Sequence, residues 1–188
     1  LSLFSPDWKG QWYYDKYRQT IADPANHYNL AVAENEMKPE ALQPTQGNFQ
    51  WSAPDGMFSV ARQNGMAMRF HTFMWKHQTP GWRTGGSQQE HEQKFRDHVR
   101  TALEHIQIQY PGSLKYIDVI NEMVSTGWDT GWSFQGDTAL KAFQIVKEYA
   151  PDDVKLFYND YDLWWNGGHR QNVLNLLNGI NQSAGYRI

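Results

Sequence analysis

The chain has 188 residues, 40% apolar and 20% charged with a net charge of −3, which makes one domain or part of a larger one. No apolar run nears the ~18 residues of a membrane helix and no broad basic face appears, so neither a membrane nor nucleic acid is an expected partner. With no cysteine and 15% aromatic residues, it has no disulfide framework, no thiolate metal site, no cysteine nucleophile and no disordered composition.

Residues 1–4 read as a short, atypical first strand, and the opening residues form no secretory signal. Residues 29–33 are an apolar run that ends in a polar cluster. A turn-rich stretch over 43–48 leads to a helix predicted over 52–64, with Phe58 and Ala61 on one face and Gly65 as its left-handed terminator. A strand is predicted over 66–71. Phe95, Val99, Ala102, Leu103 and Ile106 fall at helical spacing and predict a helix over 87–109. A Ser87/Glu90 capping box opens it and Pro111-Gly112 closes it. Residues 116–120 read as a strand. Asp137 caps a predicted helix carrying Leu140, Phe143, Val146 and Ala150, which Pro151 closes. Residues 155–158 predict a strand, 173–180 a helix, and 185–188 the lead-in to one more strand.

Strands alternating with helices predict β/α units around a parallel sheet, with no linker or second domain. Each strand ends in polar residues: Glu34-Asn35-Glu36, His71-Thr72, Asn121-Glu122 and Asn159-Asp160. In parallel α/β folds chemistry gathers at that edge. A closed barrel of eight units takes about 250 residues, so five or six units here leave it incomplete.

Nine Trp and ten Tyr are a heavy load of rings with one apolar face and a polar edge. They suit a packed core and, equally, the C–H faces and hydroxyl edges of sugars. In Asp118-Val119-Ile120-Asn121-Glu122, strand alternation sends Val119 and Asn121 to one face and Asp118, Ile120 and Glu122 to the other. Hemmed by Trp75, Trp82 and Trp128, Glu122 would be partly desolvated and so hold a proton nearer neutral pH for general-acid work. It could also be a solvent-facing glutamate at a strand end.

Beyond the strand predicted over 66–71, His71, Trp75, Lys76, His77 and Gln78 set donors beside an aromatic plate, as several sugar hydroxyls require. The rival reading is a metal site, but His71 and His77 lack a tight ligand spacing. His91, His98 and His105 recur every seven residues along one helix. Neighbours are then roughly 10 Å apart, too far to share a metal, so they read as packing or surface residues. No phosphate-binding glycine motif and no serine elbow occurs, so no cofactor and no metal is expected.

Four segments carry a resemblance. Residues 34–44 (Glu-Asn-Glu-Met-Lys-Pro-Glu-Ala-Leu-Gln-Pro) resemble the second-strand motif of glycoside hydrolase family ten, the endo-1,4-β-xylanases. His71-Thr72-Phe73-Met74-Trp75 with Gln78-Thr79-Pro80 and Trp82 resembles its third. Residues 116–122 resemble its fourth and Phe157-Tyr158-Asn159-Asp160-Tyr161 its fifth. The resemblance covers about residues 29–162. It implies a (β/α)8 TIM-barrel type of fold, incomplete here, with residues 1–188 as the amino-terminal part of a single catalytic barrel. It also implies retaining hydrolysis of xylan, with Glu122 as acid/base and Asn121 on the sugar 2-hydroxyl. Glu34, Asn35 and Lys38 would hold the distal glycone sugar. His71, Trp75 and Gln78 would line the glycone subsite at the cleaved bond, and Tyr161 would lie under the aglycone side. Lys76 stands where the family usually has His.

The family's nucleophilic Glu lies on the seventh strand, beyond this chain. Glu34 and Asp160 are the other carboxylates near strand ends, but the family pattern gives both other work. The expected partners are therefore xylan or xylo-oligosaccharide and the carboxyl-terminal half of the barrel, from the same chain, a fragment or an exchanged copy. An isolated 188-residue monomer is expected to be inactive, and secretion is expected from the family. A non-catalytic sugar-binding or scaffold fragment is the second reading, and a mannan- or glucan-active relative the third.

Overall fold

The computed structural model describes residues 19, 20, 23, 28–83 and 85–184. Strands β1 (Leu30–Val32), β2 (Ala67–Met74), β3 (Leu114–Asn121) and β4 (Lys155–Asn159) form one sheet in sequence order, every pair parallel. Helices α1 (Pro39–Leu42) and α2 (Ser52–Gln63) join β1 to β2. A 3-10 turn (Gly81–Arg83) and α3 (Gln88–Gln109) join β2 to β3. Helix α4 (Thr138–Tyr149) joins β3 to β4, and α5 (Gly167–Ala184) follows. The strands expected over 1–4 and at 185–188 lie outside the described residues.

Local chemistry accounts for the helix ends. The Ser87 hydroxyl accepts from the Glu90 N–H at 3.2 Å while the Glu90 carboxylate accepts from the Ser87 N–H at 2.6 Å, so the expected capping box is present. Asp137 caps α4 by accepting from the Leu140 N–H at 3.0 Å. Helix α2 ends before Gly65, whose φ of +65° needs no Cβ. Helix α5 starts six residues before the expected 173. There the Asn166 side chain accepts from the His169 N–H at 3.0 Å, so the first turn is set by a polar cap rather than by apolar periodicity.

The core lies between the sheet and its helices. Met68 and Phe70 of β2 and Ile117 and Val119 of β3 are buried together with Phe58, Phe95, Val99, Leu103, Phe143 and Val146 from the helices. Each such side chain contributes about 1.5–3 kcal/mol by leaving water. The opposite face of the sheet is polar. Arg69 and His71 of β2 both reach Asp118 of β3, and Arg69 also lies 4.6 Å over the Phe157 ring of β4.

Strict alternation fails in β3. Its register shifts between Asp118 and Ile120 against β4, so Asp118 and Asn121 end on the same face instead of opposite ones. Asp118 meets Arg69 there, and Asn121 meets Asn159 at 2.7 Å. A bulge of this kind re-aims a strand tip. At the β1 end of the described sheet, Leu30 and Val32 of β1 and Tyr28 before it stay exposed.

Candidate active site

The four strands deliver their polar tips to one edge, where Glu122 is the first residue past β3. Its φ of +56° turns the chain sharply, and its N–H donates to the Asn159 carbonyl at 2.8 Å. Thr126 returns two bonds to the Glu122 carbonyl, from its N–H at 2.9 Å and its hydroxyl at 2.8 Å. The carboxylate is held from the β2 side, where the Trp75 indole N–H donates to Oε2 at 2.9 Å. The other carboxylate oxygen makes no hydrogen bond among the described residues, so it is available to a reacting group.

Trp75 is also the plate on which the neighbouring wall rests. Lys38 is buried with its Nζ 4.5 Å from the Trp75 ring centroid, and it donates to Asn35 Oδ1 at 3.0 Å. Gln78 donates to the same Asn35 oxygen at 3.3 Å. Burial pulls the Lys38 ammonium below its ordinary value, while the nearby Glu122, Glu34 and Glu36 carboxylates pull it back. The charge of Lys38 is thus balanced by three carboxylates. Glu36 is buried and accepts from the Asn35 N–H at 3.1 Å; Glu34 is exposed. The expected set Glu34, Asn35, Lys38, Trp75 and Gln78 thus gathers around one wall.

Below it, Asp118 is buried and takes two bonds from Arg69 and one from His71 Nδ1 at 2.9 Å. Burial alone would raise this carboxyl, but the His71 and Arg69 hydrogen bonds outweigh it and hold Asp118 below the ordinary carboxylate value. His71 is oriented by that pair, and a metal is not needed to explain it. Asn121 accepts from Asn159 at 2.7 Å, leaving its own amide N–H groups without a partner among the described residues.

The wall beyond β4 differs. The Asp160 side chain is fully buried and accepts from the Ser125 and Tyr158 hydroxyls and from the Tyr161 N–H, with His169 Nε2 at 3.4 Å. Burial and the Asp160 bond drive the Tyr158 hydroxyl far above its ordinary value, so it keeps its proton and accepts from the Val124 N–H at 2.9 Å. A buried carboxylate already carrying these bonds cannot attack a substrate, so Asp160 holds the turn after Glu122 in place. Tyr161 is half exposed, its ring 6.4 Å from that of His169.

Of the three tryptophans expected around Glu122, Trp75 bonds its carboxylate, the Trp82 indole N–H donates to the Gln43 carbonyl at 2.8 Å, and Trp128 is 51% exposed. Lys76 pairs with Asp129 at 3.2 Å in a largely exposed contact. The heptad histidines do pack: His98 on Gln43 at 2.7 Å and His105 on Asp55 at 2.8 Å. Sequence reading missed Arg69, Ser125 and His169. Arg69 was legible as the residue two before His71 on the same face; Ser125 and His169 carry no local signal.

One parallel α/β sheet thus brings a carboxylate, an indole, amides and an ammonium together at its strand tips. The chain belongs to glycosyl hydrolase family 10, whose model matches residues 9–186. It is 34% identical over 183 residues to endo-1,4-beta-xylanase A of Thermoanaerobacterium saccharolyticum, covering 87% of this chain and 16% of that protein. It is also 34% identical over 159 residues to the thermostable celloxylanase of Thermoclostridium stercorarium, covering 72% of this chain and 40% of the relative. Among solved structures, it superposes on TsXylA, an intracellular xylanase of T. saccharolyticum determined with xylotetraose, with a TM-score of 0.80 and 32% identity. That match covers 89% of this chain and 55% of the other. The sheet is therefore part of a (β/α)8 barrel, and the chain spans about half or less of the length of these relatives.

Proposed function

We propose that the completed barrel hydrolyses internal 1,4-β-xylosidic bonds of xylan with retention of anomeric configuration, and that Glu122 is its general acid/base. The observation that carries this is the Glu122 carboxylate, held through one oxygen by Trp75 at a sharp backbone turn and unbonded at the other. In the first step Glu122 protonates the leaving glycosidic oxygen while a second carboxylate attacks the anomeric carbon; in the second it takes a proton from water. That nucleophile belongs to the carboxyl-terminal half of the barrel, which this chain needs as its partner.

Asn121 donates its free amide to the 2-hydroxyl of the sugar under attack. Glu34, Asn35 and Lys38 hold the distal glycone ring; His71, Trp75 and Gln78 line the subsite beside the bond. Tyr161 supports the aglycone side. No step calls for a metal or an organic cofactor. We also propose that the protein acts outside the cell, where the polymer is; recovery from the cell interior alone would contradict that.

The test is the product. With the chain joined to the rest of its barrel, early NMR spectra of xylo-oligosaccharide hydrolysis should show the β-anomer first, before mutarotation. The α-anomer first would overturn retention, and binding without turnover would favour a sugar-binding fragment.

A further inference from the structure

Trp82 follows Trp75 by seven residues and lines a groove of its own. Its N–H is fixed on the Gln43 carbonyl, and the Arg83 guanidinium lies 4.9 Å from its ring centroid. Arg83 is fully buried, with none of its three side-chain nitrogens hydrogen-bonded; its described partners are the ring faces of Trp82 and, at 4.8 Å, Trp132. A buried charge held this way is costly, and it fixes the orientation of Trp82.

The ring so fixed walls a groove of about 210 Å³, shared with Phe49, Gln46, Lys94, Asp97 and Thr101. The groove runs between the 43–49 loop, the 3-10 turn and α3, and no residue assigned to the cleft lines it. Phe49 is braced by stacking on Trp51 at 4.8 Å and His98 at 5.5 Å. Both aromatic walls thus have packing partners of their own.

The polar groups on the rim have capacity left. The side chains of Gln46 and Thr101 make no hydrogen bond among the described residues. Lys94 uses one donor, on the Gly85 carbonyl at 2.9 Å. Asp97 uses one oxygen, accepting from Gln93 and Arg100 at 3.1 Å. Lys94 and Asp97 cancel in charge, which suits a neutral ligand. Flat rings beside an amide, a hydroxyl, an ammonium and a carboxylate complement a pyranose, whose C–H face packs on the ring while its hydroxyls meet the rim. The volume lies below the ~300 Å³ of ordinary small-molecule pockets and admits one ring of a chain.

We propose that this groove is a second carbohydrate site, taking one neutral xylopyranose unit of a xylan chain outside the catalytic cleft. The choice of xylose rests on the function proposed above. A site of this kind would keep the polymer near the cleft between cleavage events.

Titration of the completed barrel with xylotriose, followed by NMR at the Gly47 amide and Trp82 indole N–H for the groove and at the Asn35 side-chain amide for the cleft, tests it. Two independent sets of shifts are expected. Trp82→Ala, and separately the surface pair Gln46→Ala/Thr101→Val, should weaken the groove set about tenfold or more and leave the cleft set; Trp75→Ala should do the reverse. The double variant guards against a Trp82 replacement that disturbs Arg83. A single set of shifts, removed by Trp75→Ala and unmoved by both groove variants, overturns the second site and leaves the cleft reading intact. Groove binding that persists where no cleft binding occurs supports the second site and counts against the cleft.

Discussion

The two walls of the cleft are built on opposite plans. On the β1–β2 side, Asn35, Lys38, Trp75 and Gln78 bond to one another and leave donors and a ring face toward the space where Glu122 sits. On the β3–β4 side, Tyr158, Asp160, Ser125 and His169 turn their polar atoms inward on each other, while Tyr161, Trp164 and Trp165 stand out in solvent. The first wall presents bonding groups to that space, and the second spends its polar atoms on the backbone that carries Glu122. On the function proposed above, sugar binding and acid–base positioning are then separable tasks, and substitutions on each side should fail differently.

The largest effect is expected at the junction of the two walls. In the completed barrel Glu122→Gln should lower xylan hydrolysis by about 10²–10⁴-fold with little change in folding, as measured by kcat and by thermal melting. Trp75→Ala removes both the donor to Glu122 and the plate under Lys38. It should lower kcat/KM about 10- to 100-fold and weaken oligosaccharide binding as well, since a hydrogen bond to a charged group contributes about 1.5–3 kcal/mol.

Across the cleft, Asp160→Asn should destabilise by about 1–3 kcal/mol and lower kcat with KM nearly unchanged. A rise in KM alone would break the contrast between the walls.

The floor beneath both walls gives a pH signature. Asp118 has a folded value below its unfolded one near 3.8, so its contribution is complete above that value and is lost as pH falls through the lower folded value. Acid denaturation of the chain should steepen below about pH 4, and Asp118→Asn should flatten that limb while costing roughly 1.5–3 kcal/mol at neutral pH. The smallest effect belongs to Trp164→Ser and Trp165→Ser, 87% and 89% exposed, which should change stability by less than about 0.5 kcal/mol. Any loss they cause should appear only with long substrates.

What the sequence made legible follows the same division. The first wall comes from short contiguous stretches: residues 71–78, whose types spell donors beside a ring, and residues 34–38, legible as a polar strand tip and through the family resemblance. The capping box at Ser87–Glu90 and the stop at Gly65 are equally local, and both were readable. The second wall was hidden. Ser125 meets His169 across 44 positions, and nothing near either residue announces the pairing. The bulge at Asp118–Ile120 depends on how β3 pairs with β4, so alternation within one strand put Asn121 on the wrong face. Trp82 was readable as an aromatic near the cleft, but its bond to the Gln43 carbonyl spans 39 positions and carries no local signal.

The most direct test of Glu122 as the proton donor is the leaving-group dependence of Glu122→Ala in the completed barrel. A general acid matters most when the departing oxygen is strongly basic and least when it leaves readily as an anion. Hydrolysis of xylan should therefore fall by orders of magnitude, while release of an activated phenolate from an aryl xylobioside should retain most of its rate in the first turnover. Equal losses on both substrates, or no loss on xylan, would contradict the role assigned to Glu122.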